Sequence, residues 1–274
     1  MISYPFAAGG LQTRILEAGE GPRTVLFIHG LGARADRWAG TIERHAAQGY
    51  HCYAIDLPGH GFAVKGGGLE YSVPAFARFV WSAVDALGIE QLALVGTSLG
   101  GHIAATMTVR DPGRVRGLSM VGAVGLAPVS DVSRAAIRDN VGRTSPDAIR
   151  SKLAFVLADP AQISESWITE EWRINTSAGA AEAFAALGDY FFNRINDDAV
   201  VDALRPLRAR LPMQLIWGAL DRAVPLEVGV MASKLLDDLP LEQVPAAGHA
   251  PYFEQPAAFD ACLDPFLAKL NWSD

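Results

Sequence analysis

The stretch GTSLGG at residues 96–101 fits the pattern G-x-S-x-G. It follows an apolar run at 91–95 that is typical of a buried strand, and it precedes a segment from 99 to about 110 that is typical of a helix. Ser98 would therefore occupy a tight strand-to-helix turn, where flanking glycines avoid a clash and the hydroxyl is raised clear of the sheet. Taken alone, the stretch is also compatible with a glycine-rich turn whose serine only caps the helix.

Apolar runs of the same kind recur along the chain on both sides of this turn. They are predicted strands at 24–28, 51–55, 115–121, 213–217 and 241–244. Predicted helices accompany them at 36–48, 72–87, 228–236 and 256–270. Because parallel strands are buried on both faces, apolar strands that alternate with helices predict an α/β fold with a mostly parallel central sheet flanked by helices.

One long segment interrupts this alternation. Residues 129–210 are mostly helical in pattern and contain no convincing central strand. About 80 residues are too many for a loop, so we expect a helical cap inserted between two strands. The predicted division is a core made of 1–128 and 211–274, and a cap made of 129–210 that covers one edge of the sheet.

A serine hydroxyl is a weak nucleophile, so the turn needs a base and an acid that orients the base. His249 comes just after the last predicted strand, in AGHAP, and Asp221 ends the segment WGALD after the strand before it. Taken singly, they could be only a surface histidine and a turn aspartate. The other place for the acid, after the strand ending near Val121, has no carboxylate, and Asp131 lies well past it. The order Ser98, Asp221, His249 favours a triad of nucleophile, acid and base.

The tetrahedral intermediate of such a reaction carries a negative oxygen that needs N–H donors. One donor is expected from Leu99, directly after the nucleophile. The second is expected from HGLG at residues 29–32, after the first core strand, and Leu31 is the favoured donor there. Gly30 and Gly32 stay open as alternatives, and HGLG could also be only a turn that ends the strand.

With these motifs assembled, the chain resembles the α/β-hydrolase superfamily along nearly its whole length. The matching motifs are HGLG (29–32), DLPGHG (56–61), the Ser98 turn, WGALD (217–221) and Gly248-His249. The resemblance implies that 56–61 is a structural turn beside the pocket. Within the superfamily the chain looks most like capped bacterial esterases, lactonases and meta-cleavage-product hydrolases, which split a carbon–carbon bond in ring-fission products.

Two positions bear on which of these subgroups fits. The resemblance implies that meta-cleavage-product hydrolases carry Asn before the nucleophile and a cap Arg that binds the substrate carboxylate. This chain has Thr97 at the first position and Glu171 near the second, with Arg173 as a neighbouring candidate. We therefore expect Glu171 to repel a substrate carboxylate. The serine also distinguishes the chain from haloalkane dehalogenases and epoxide hydrolases of this fold, which use aspartate.

These observations predict a serine hydrolase that cleaves a small, fairly apolar ester or lactone through an acyl-enzyme. Carbon–carbon or amide hydrolysis with the same triad is the second prediction, and a ligand sensor that kept the fold is the third. Trp167 and Trp172 of the cap are expected to line the substrate pocket, with packing of the cap onto the core as the alternative. The predicted reaction needs no metal and no organic cofactor, and the triad residues lack metal-ligand spacing.

The composition of the chain argues against several other classes of function. The 274 residues include 23 Lys plus Arg and 30 Asp plus Glu, and the net charge of −7 argues against nucleic-acid binding. Cys52 and Cys262 lie in apolar runs and are interpreted as core residues rather than as a disulfide. We see no signal peptide and no apolar run of membrane length. The expectation is a cytoplasmic protein with a small-molecule partner and no membrane contact, and homodimerisation is left open.

Overall fold

Eight strands form one sheet in the computed structural model, which describes residues 1–272. The strands are β1 (Ile2–Ala8), β2 (Leu11–Ala18), β3 (Thr24–Ile28), β4 (His51–Ile55), β5 (Leu92–Thr97), β6 (Val115–Val121), β7 (Met213–Gly218) and β8 (Leu241–Val244). Their order across the sheet is β1-β2-β4-β3-β5-β6-β7-β8. The pairs β1–β2 and β2–β4 are antiparallel, and the other five are parallel. The predicted α/β fold with a mostly parallel sheet is confirmed.

The central strands are apolar runs that the fold buries completely. All five residues of β3 and all six of β5 are buried. Along β3, Leu26 and Ile28 join the apolar cluster on one face of the sheet, whereas Val25 and Phe27 join the cluster on the other. This burial on two faces explains why the sequence shows continuous apolar runs and no alternation.

The N-terminal hairpin formed by β1 and β2 was not predicted. β1 is a largely exposed edge strand that contains Pro5. Proline cannot donate to a sheet ladder, so it argues against a strand except at an edge. Gly9 and Gly10 both have positive φ, as a two-residue hairpin turn requires. The Gly-Gly pair is therefore the local signal that could have indicated this hairpin.

Helices cover both faces of the sheet. They are α1 (Ala39–Ala46), α2 (Val73–Ala86), α3 (Leu99–Arg110), α4 (Asp131–Val141), α5 (Pro146–Val156), α6 (Glu165–Asn175), α7 (Ala180–Asn193), α8 (Val201–Leu204), α9 (Leu226–Leu235), α10 (Pro251–Glu254) and α11 (Pro256–Ala268). Phe76 of α2 and Ile103 of α3 pack in one apolar cluster, and Ile42 of α1 and Phe259 of α11 pack in the other. None of the helices within residues 1–272 is long and apolar enough to cross a membrane.

Helices α4 to α8 lie between β6 and β7, in the part of the chain that the sequence assigns to the cap. We call residues 129–210 the cap segment. α7 buries seven residues, and Phe184 and Phe191 belong to the same apolar cluster as Ile103 of the core. In contrast, α4 buries none of its residues and α5 buries only Ile149. The cap segment is thus mainly helical, while its division from the core as a separate domain remains a prediction.

Candidate active site

Ser98 lies in the turn between β5 and α3, where β5 ends. Its backbone has φ 55° and ψ −119°, and a non-glycine residue held in such a conformation costs about 1–3 kcal/mol. The flanking glycines make this turn sterically possible. A Cβ on Gly96 would come within 2.2 Å of the Gly100 carbonyl oxygen, and one on Gly100 within 2.2 Å of the Ile28 carbonyl oxygen. The stretch therefore forms a sharp, strained turn that leaves Ser98 partly exposed.

His249 and Asp221 form a hydrogen-bonded pair. His249 Nδ1 lies 2.7 Å from Asp221 Oδ2, and since a carboxylate oxygen only accepts, the Nδ1–H donates. The other oxygen of Asp221 accepts the N–H groups of Ala223 and Val224, at 2.9 and 2.8 Å. Because both of its oxygens are held, Asp221 fixes the tautomer of His249 and leaves Nε2 as the nitrogen that can exchange a proton.

Opposing effects act on the pKa of His249. Burial lowers it, because the charged imidazolium loses solvent, whereas the carboxylates of Asp221 and Glu254 raise it. The net result is a pKa above the usual value of 6.5. Asp221 was predicted from the sequence, whereas Glu254, which lies in α10, was not. A raised pKa means that the imidazole holds an accepted proton more strongly, which suits a general base.

The end of β6 brings the serine and the histidine pair together. The Ser98 N–H donates to the Val121 carbonyl oxygen at 2.9 Å. Gly122, the next residue, packs against the pair, since a Cβ on it would come within 3.1 Å of His249 Nδ1 and 3.2 Å of Asp221 Oδ2. Ser98, Asp221 and His249 thus gather around one strand end. Their catalytic roles remain a prediction.

The two amides predicted to bind the oxyanion lie on either side of Ser98. Leu99 is the first residue of α3 and directly follows the serine. Gly30, beside Leu31, packs on the serine, because a Cβ on Gly30 would come within 2.9 Å of the Ser98 Cβ. Among the described residues, neither the Leu31 N–H nor the Leu99 N–H donates to a backbone carbonyl. Binding of the oxyanion remains their predicted role.

His29 holds the Leu31 amide in place, a role that the sequence analysis missed. The Leu57 N–H donates to His29 Nε2 at 3.0 Å, so the ring proton is on Nδ1, which donates to the Gly30 carbonyl oxygen at 2.8 Å. The Gly30 carbonyl and the Leu31 N–H belong to one trans peptide group and point in opposite directions. Fixing the carbonyl therefore also fixes the direction of the N–H. Burial lowers the pKa of His29, which keeps the ring neutral.

The two tryptophans of α6 lie in different surroundings. The Trp167 indole N–H donates to Glu171 at 3.1 Å, and its ring packs edge-on against Phe253 of α10, with 5.0 Å between the centroids. The Trp172 ring is 36% exposed and lies 5.1 Å from the Arg173 guanidinium carbon. Trp167 is thus placed at the junction between the cap segment and the core. Contact with substrate remains a prediction for both tryptophans.

Glu171 is paired with two arginines, which the sequence did not indicate, and its repulsion of a substrate carboxylate remains a prediction. Its carboxylate is buried and binds the guanidinium groups of Arg34 and Arg37. Arg34 is only 2% exposed and also pairs with Asp36 and Glu170. No local pattern indicates this pairing, because 137 residues separate Arg34 from Glu171. Glu171 therefore ties the cap segment to the loop after β3, and its charge is offset by the arginines.

Thiols and potential metal ligands do not form a second cluster in the described residues. Within 1–272, no group of three or more His, Cys, Asp and Glu side chains could hold a metal ion. Cys52 is a buried free thiol in the apolar cluster, and burial raises its pKa to about 12, so it stays protonated. Cys52 is thus a core residue, as interpreted from the sequence.

Two relatives of known structure share this arrangement of strands and helices. A bacterial membrane phospholipase A superposes with a TM-score of 0.80 at 26% identity, covering 97% of this chain and 86% of that one. A meta-cleavage product hydrolase from Pseudomonas fluorescens superposes with a TM-score of 0.85 at 24% identity, covering 98% of both chains. The second likeness shows the fold alone.

Sequence similarity to another protein also covers most of the chain. The 2-hydroxy-6-oxo-2,4-heptadienoate hydrolase of Pseudomonas putida is 28% identical over 267 residues, which cover 95% of this chain and 94% of that protein. The α/β hydrolase fold family matches residues 23–256. The family and the names of these relatives support a hydrolase activity. The chain belongs to the α/β-hydrolase fold family.

Proposed function

We propose that this protein is a serine hydrolase that cleaves a small, fairly apolar ester or lactone. The observation that supports it most is the strained turn that presents Ser98 beside the hydrogen-bonded pair of His249 and Asp221. Backbone strain of this kind persists where the surrounding structure enforces it, often at active sites. A raised hydroxyl beside an oriented base is the arrangement that acyl transfer needs.

The proposed reaction uses each of these groups in turn. Ser98 Oγ attacks the carbonyl carbon while His249 Nε2 takes its proton, and Asp221 stabilises the imidazolium that forms. The N–H groups of Leu31 and Leu99 bind the negative oxygen of the tetrahedral intermediate. The leaving alcohol takes the proton from His249, and the acyl group stays on Ser98. His249 then deprotonates a water that releases the acid and restores the serine.

Charges at the junction between cap segment and core favour a neutral substrate. A carboxylate taken out of water needs a cation or several hydrogen bonds to offset its lost solvation. Arg34 and Arg37 both bind Glu171, and Arg34 also binds Asp36 and Glu170. Arg14 also binds Asp36, together with Asp56, so three guanidinium groups are shared among four carboxylates. A substrate carboxylate would have to displace one of these carboxylates. We therefore place simple esters and lactones ahead of dienoates.

Hydrolysis of a carbon–carbon bond is the second candidate, because the names of similar proteins favour it. The relative from Pseudomonas putida is named for the hydrolysis of a 2-hydroxy-6-oxo-2,4-heptadienoate. The same serine, histidine and aspartate would serve that bond, with a carbon leaving group in place of an alcohol. Amide hydrolysis would likewise use the same groups and change only the atom that leaves.

A hydrolysis panel tests these alternatives directly. The panel contains p-nitrophenyl esters of different chain length, lactones and a vinylogous diketo acid, and kcat/KM is measured with one preparation. Ser98→Ala is the blank. We expect an ester or a lactone to be cleaved faster than the diketo acid. A preference of about tenfold or more for the diketo acid would replace the ester proposal with the carbon–carbon one. Tight binding with negligible turnover of every compound would favour a ligand sensor.

A further inference from the structure

The loop that carries His249 is held by a second carboxylate, that of Glu254. Glu254 is only 5% exposed and ends the short helix α10. Its Oε1 accepts the N–H groups of Gly248 and Ala250, at 2.9 and 3.1 Å, and these residues stand on either side of the histidine. Its Oε2 accepts the N–H of Ala158, in the cap segment, at 2.6 Å. One buried carboxylate therefore joins three peptide groups from two parts of the chain.

Helix capping explains only part of this arrangement. Ala250 is the N-cap of α10, and a Glu side chain that reaches back to an N-cap N–H is a common way to start a helix. The bonds to Gly248 and Ala158 lie outside α10. Burying a charge is costly unless it is well hydrogen-bonded, and a four-residue helix does not by itself need one. The three bonds together hold the loop of His249 in place.

The cap segment also contacts this loop directly. The His249 N–H donates to the Val156 carbonyl oxygen, at the end of α5, at 2.8 Å. Gly248 permits this approach, because a Cβ on it would come within 2.5 Å of the same oxygen. Arg222 donates to two further carbonyl oxygens of this stretch, each at 2.6 Å. The end of α5 and the histidine loop are therefore bonded to each other through backbone groups.

We propose that Glu254 is a positioning residue that holds His249 in place through the peptide groups on either side of it and ties this loop to the cap segment. This inference rests on the proposed serine-hydrolase function, because it concerns the base of that reaction. The imidazole itself is bound by Asp221, while Glu254 acts through the peptide groups on either side of it. A shift of the cap segment would move Ala158 and with it the carboxylate that holds the histidine loop.

The charged groups around His249 explain why the charge of Glu254 matters. Asp221 binds the Nδ1–H, and Glu254 adds a second negative charge that also raises the pKa of His249. Tyr252, which lies on α10 with Glu254, is buried. Burial raises its pKa to about 12, so the phenol is neutral. Arg222 directs its guanidinium to cap carbonyls. Removing the charge of Glu254 should therefore lower the pKa of His249 and destabilise the imidazolium formed during the reaction.

The test compares Glu254→Gln and Glu254→Asp with a matched control, Asp260→Asn. Glutamine keeps one oxygen for the two loop amides, but it loses the charge and cannot accept from Ala158. Aspartate keeps the charge on a side chain that is shorter by one methylene. Asp260 is a partly buried carboxylate on α11 that binds Arg44, so its variant reports on the loss of an ion pair elsewhere.

The main readout is the second-order rate constant for labelling Ser98 with a fluorophosphonate, measured against pH. It is combined with kcat for a p-nitrophenyl ester and with Tm. Glu254→Gln should move the acid limb of the labelling profile to lower pH and lower kcat about 10- to 100-fold. Glu254→Asp should lower kcat with the acid limb unmoved. Asp260→Asn should lower Tm alone.

The outcomes separate this inference from the proposed function. A Glu254→Gln protein with wild-type kcat and labelling profile, and only a lower Tm, would make Glu254 a structural residue and overturn the inference. If Glu254→Gln does not fold, wild-type kcat in Glu254→Asp overturns it as well. Failure of the wild-type protein to label at Ser98 at any pH would instead overturn the serine-hydrolase function on which the inference rests.

Discussion

The sheet and the first two helices of the cap segment, α4 and α5, are held in place by different kinds of contact. Every residue of β5, which leads to Ser98, is buried, whereas α4 buries none of its residues and α5 only Ile149. Part of the cap segment is fastened by polar groups instead, such as Glu171 with two arginines and Ala158 with Glu254. Close-packed apolar interiors resist displacement, while hydrogen-bonded contacts can be exchanged for water. We therefore expect substitutions in the core to change the rate of the reaction and substitutions in the cap segment to change the choice of substrate.

Removing the nucleophile should abolish the reaction while leaving the stability of the fold almost unchanged. Ser98→Ala is expected to lower kcat roughly a million-fold, because a triad without its nucleophile loses the covalent route. The side chain is partly exposed, so Tm should stay within about 3 °C of the wild-type value. Steady-state kinetics and a thermal melt on the same preparation check both. Retention of more than about one per cent of kcat would show that Ser98 is not the nucleophile.

The acid and the base should differ in the size of their effects. His249→Ala should be about as damaging as loss of the serine, whereas Asp221→Asn should cost about 10⁴-fold in kcat, because the aspartate only orients and stabilises the histidine. The two variants are compared on one ester at saturating concentration. A near-normal rate for Asp221→Asn would point to another carboxylate, and Asp131→Asn would then be measured next.

Glu171 and its neighbour Glu170 provide a matched test of how the cap segment is fastened. Glu171 is buried between two arginines, so Glu171→Gln should lower the free energy of unfolding by about 2–3 kcal/mol. Glu170 binds Arg34 as well, but its side chain is 54% exposed, and Glu170→Gln should cost less than about 1 kcal/mol. Urea unfolding curves measure both. Equal effects of the two variants would contradict the view that the buried ion pairs of Glu171 hold the cap segment in place.

Acidification should lower activity without unfolding the protein. Because the base must be neutral, kcat/KM should rise with pH through the pKa of His249, which lies above 6.5. A raised pKa means that the protonated histidine stabilises the folded state at low pH, and this contribution is lost as pH rises through the folded-state pKa. The loss of activity should therefore reverse on return to neutral pH. An inflection below 6.5 would argue that the Asp221 pairing does not govern this titration.

The two tryptophans of α6 give the smallest and most specific effect. Trp167 packs at the junction with Phe253, so Trp167→Ala should change the ratio of kcat/KM between short and long acyl esters by about tenfold. Trp172→Ala should change the same ratio in the same direction but less, because that ring is 36% exposed. Shifts in Tm without any change in ester preference would show that both residues pack the cap segment onto the core and do not select the substrate.

Residues at strand ends were predictable because their surroundings are local. The glycines that the turn requires and the apolar run of β5 together indicate the place of Ser98. Asp221 and His249 follow β7 and β8 at short distances along the chain, so their place near the ends of these strands follows from the strand prediction. The hairpin of β1 and β2 escaped prediction because an exposed edge strand lacks a continuous apolar run.

Contacts between the cap segment and the core could not be predicted from local patterns. The Arg34–Glu171 pair spans 137 residues, and the bond from Ala158 to Glu254 spans 96. Such pairs depend on how two packed surfaces meet, which neither periodicity nor composition encodes. For this reason nothing in the sequence indicated that Glu171 is paired with two arginines, as the structure shows.

Covalent labelling shows directly whether Ser98 is the nucleophile. The protein is treated with a fluorophosphonate, its intact mass is measured, and the modified peptide is sequenced by mass spectrometry beside Ser98→Ala. The account predicts one adduct on the wild-type protein, located at Ser98, and none on the variant. An adduct at another residue, or equal labelling of Ser98→Ala, would contradict the assignment of Ser98 as the nucleophile.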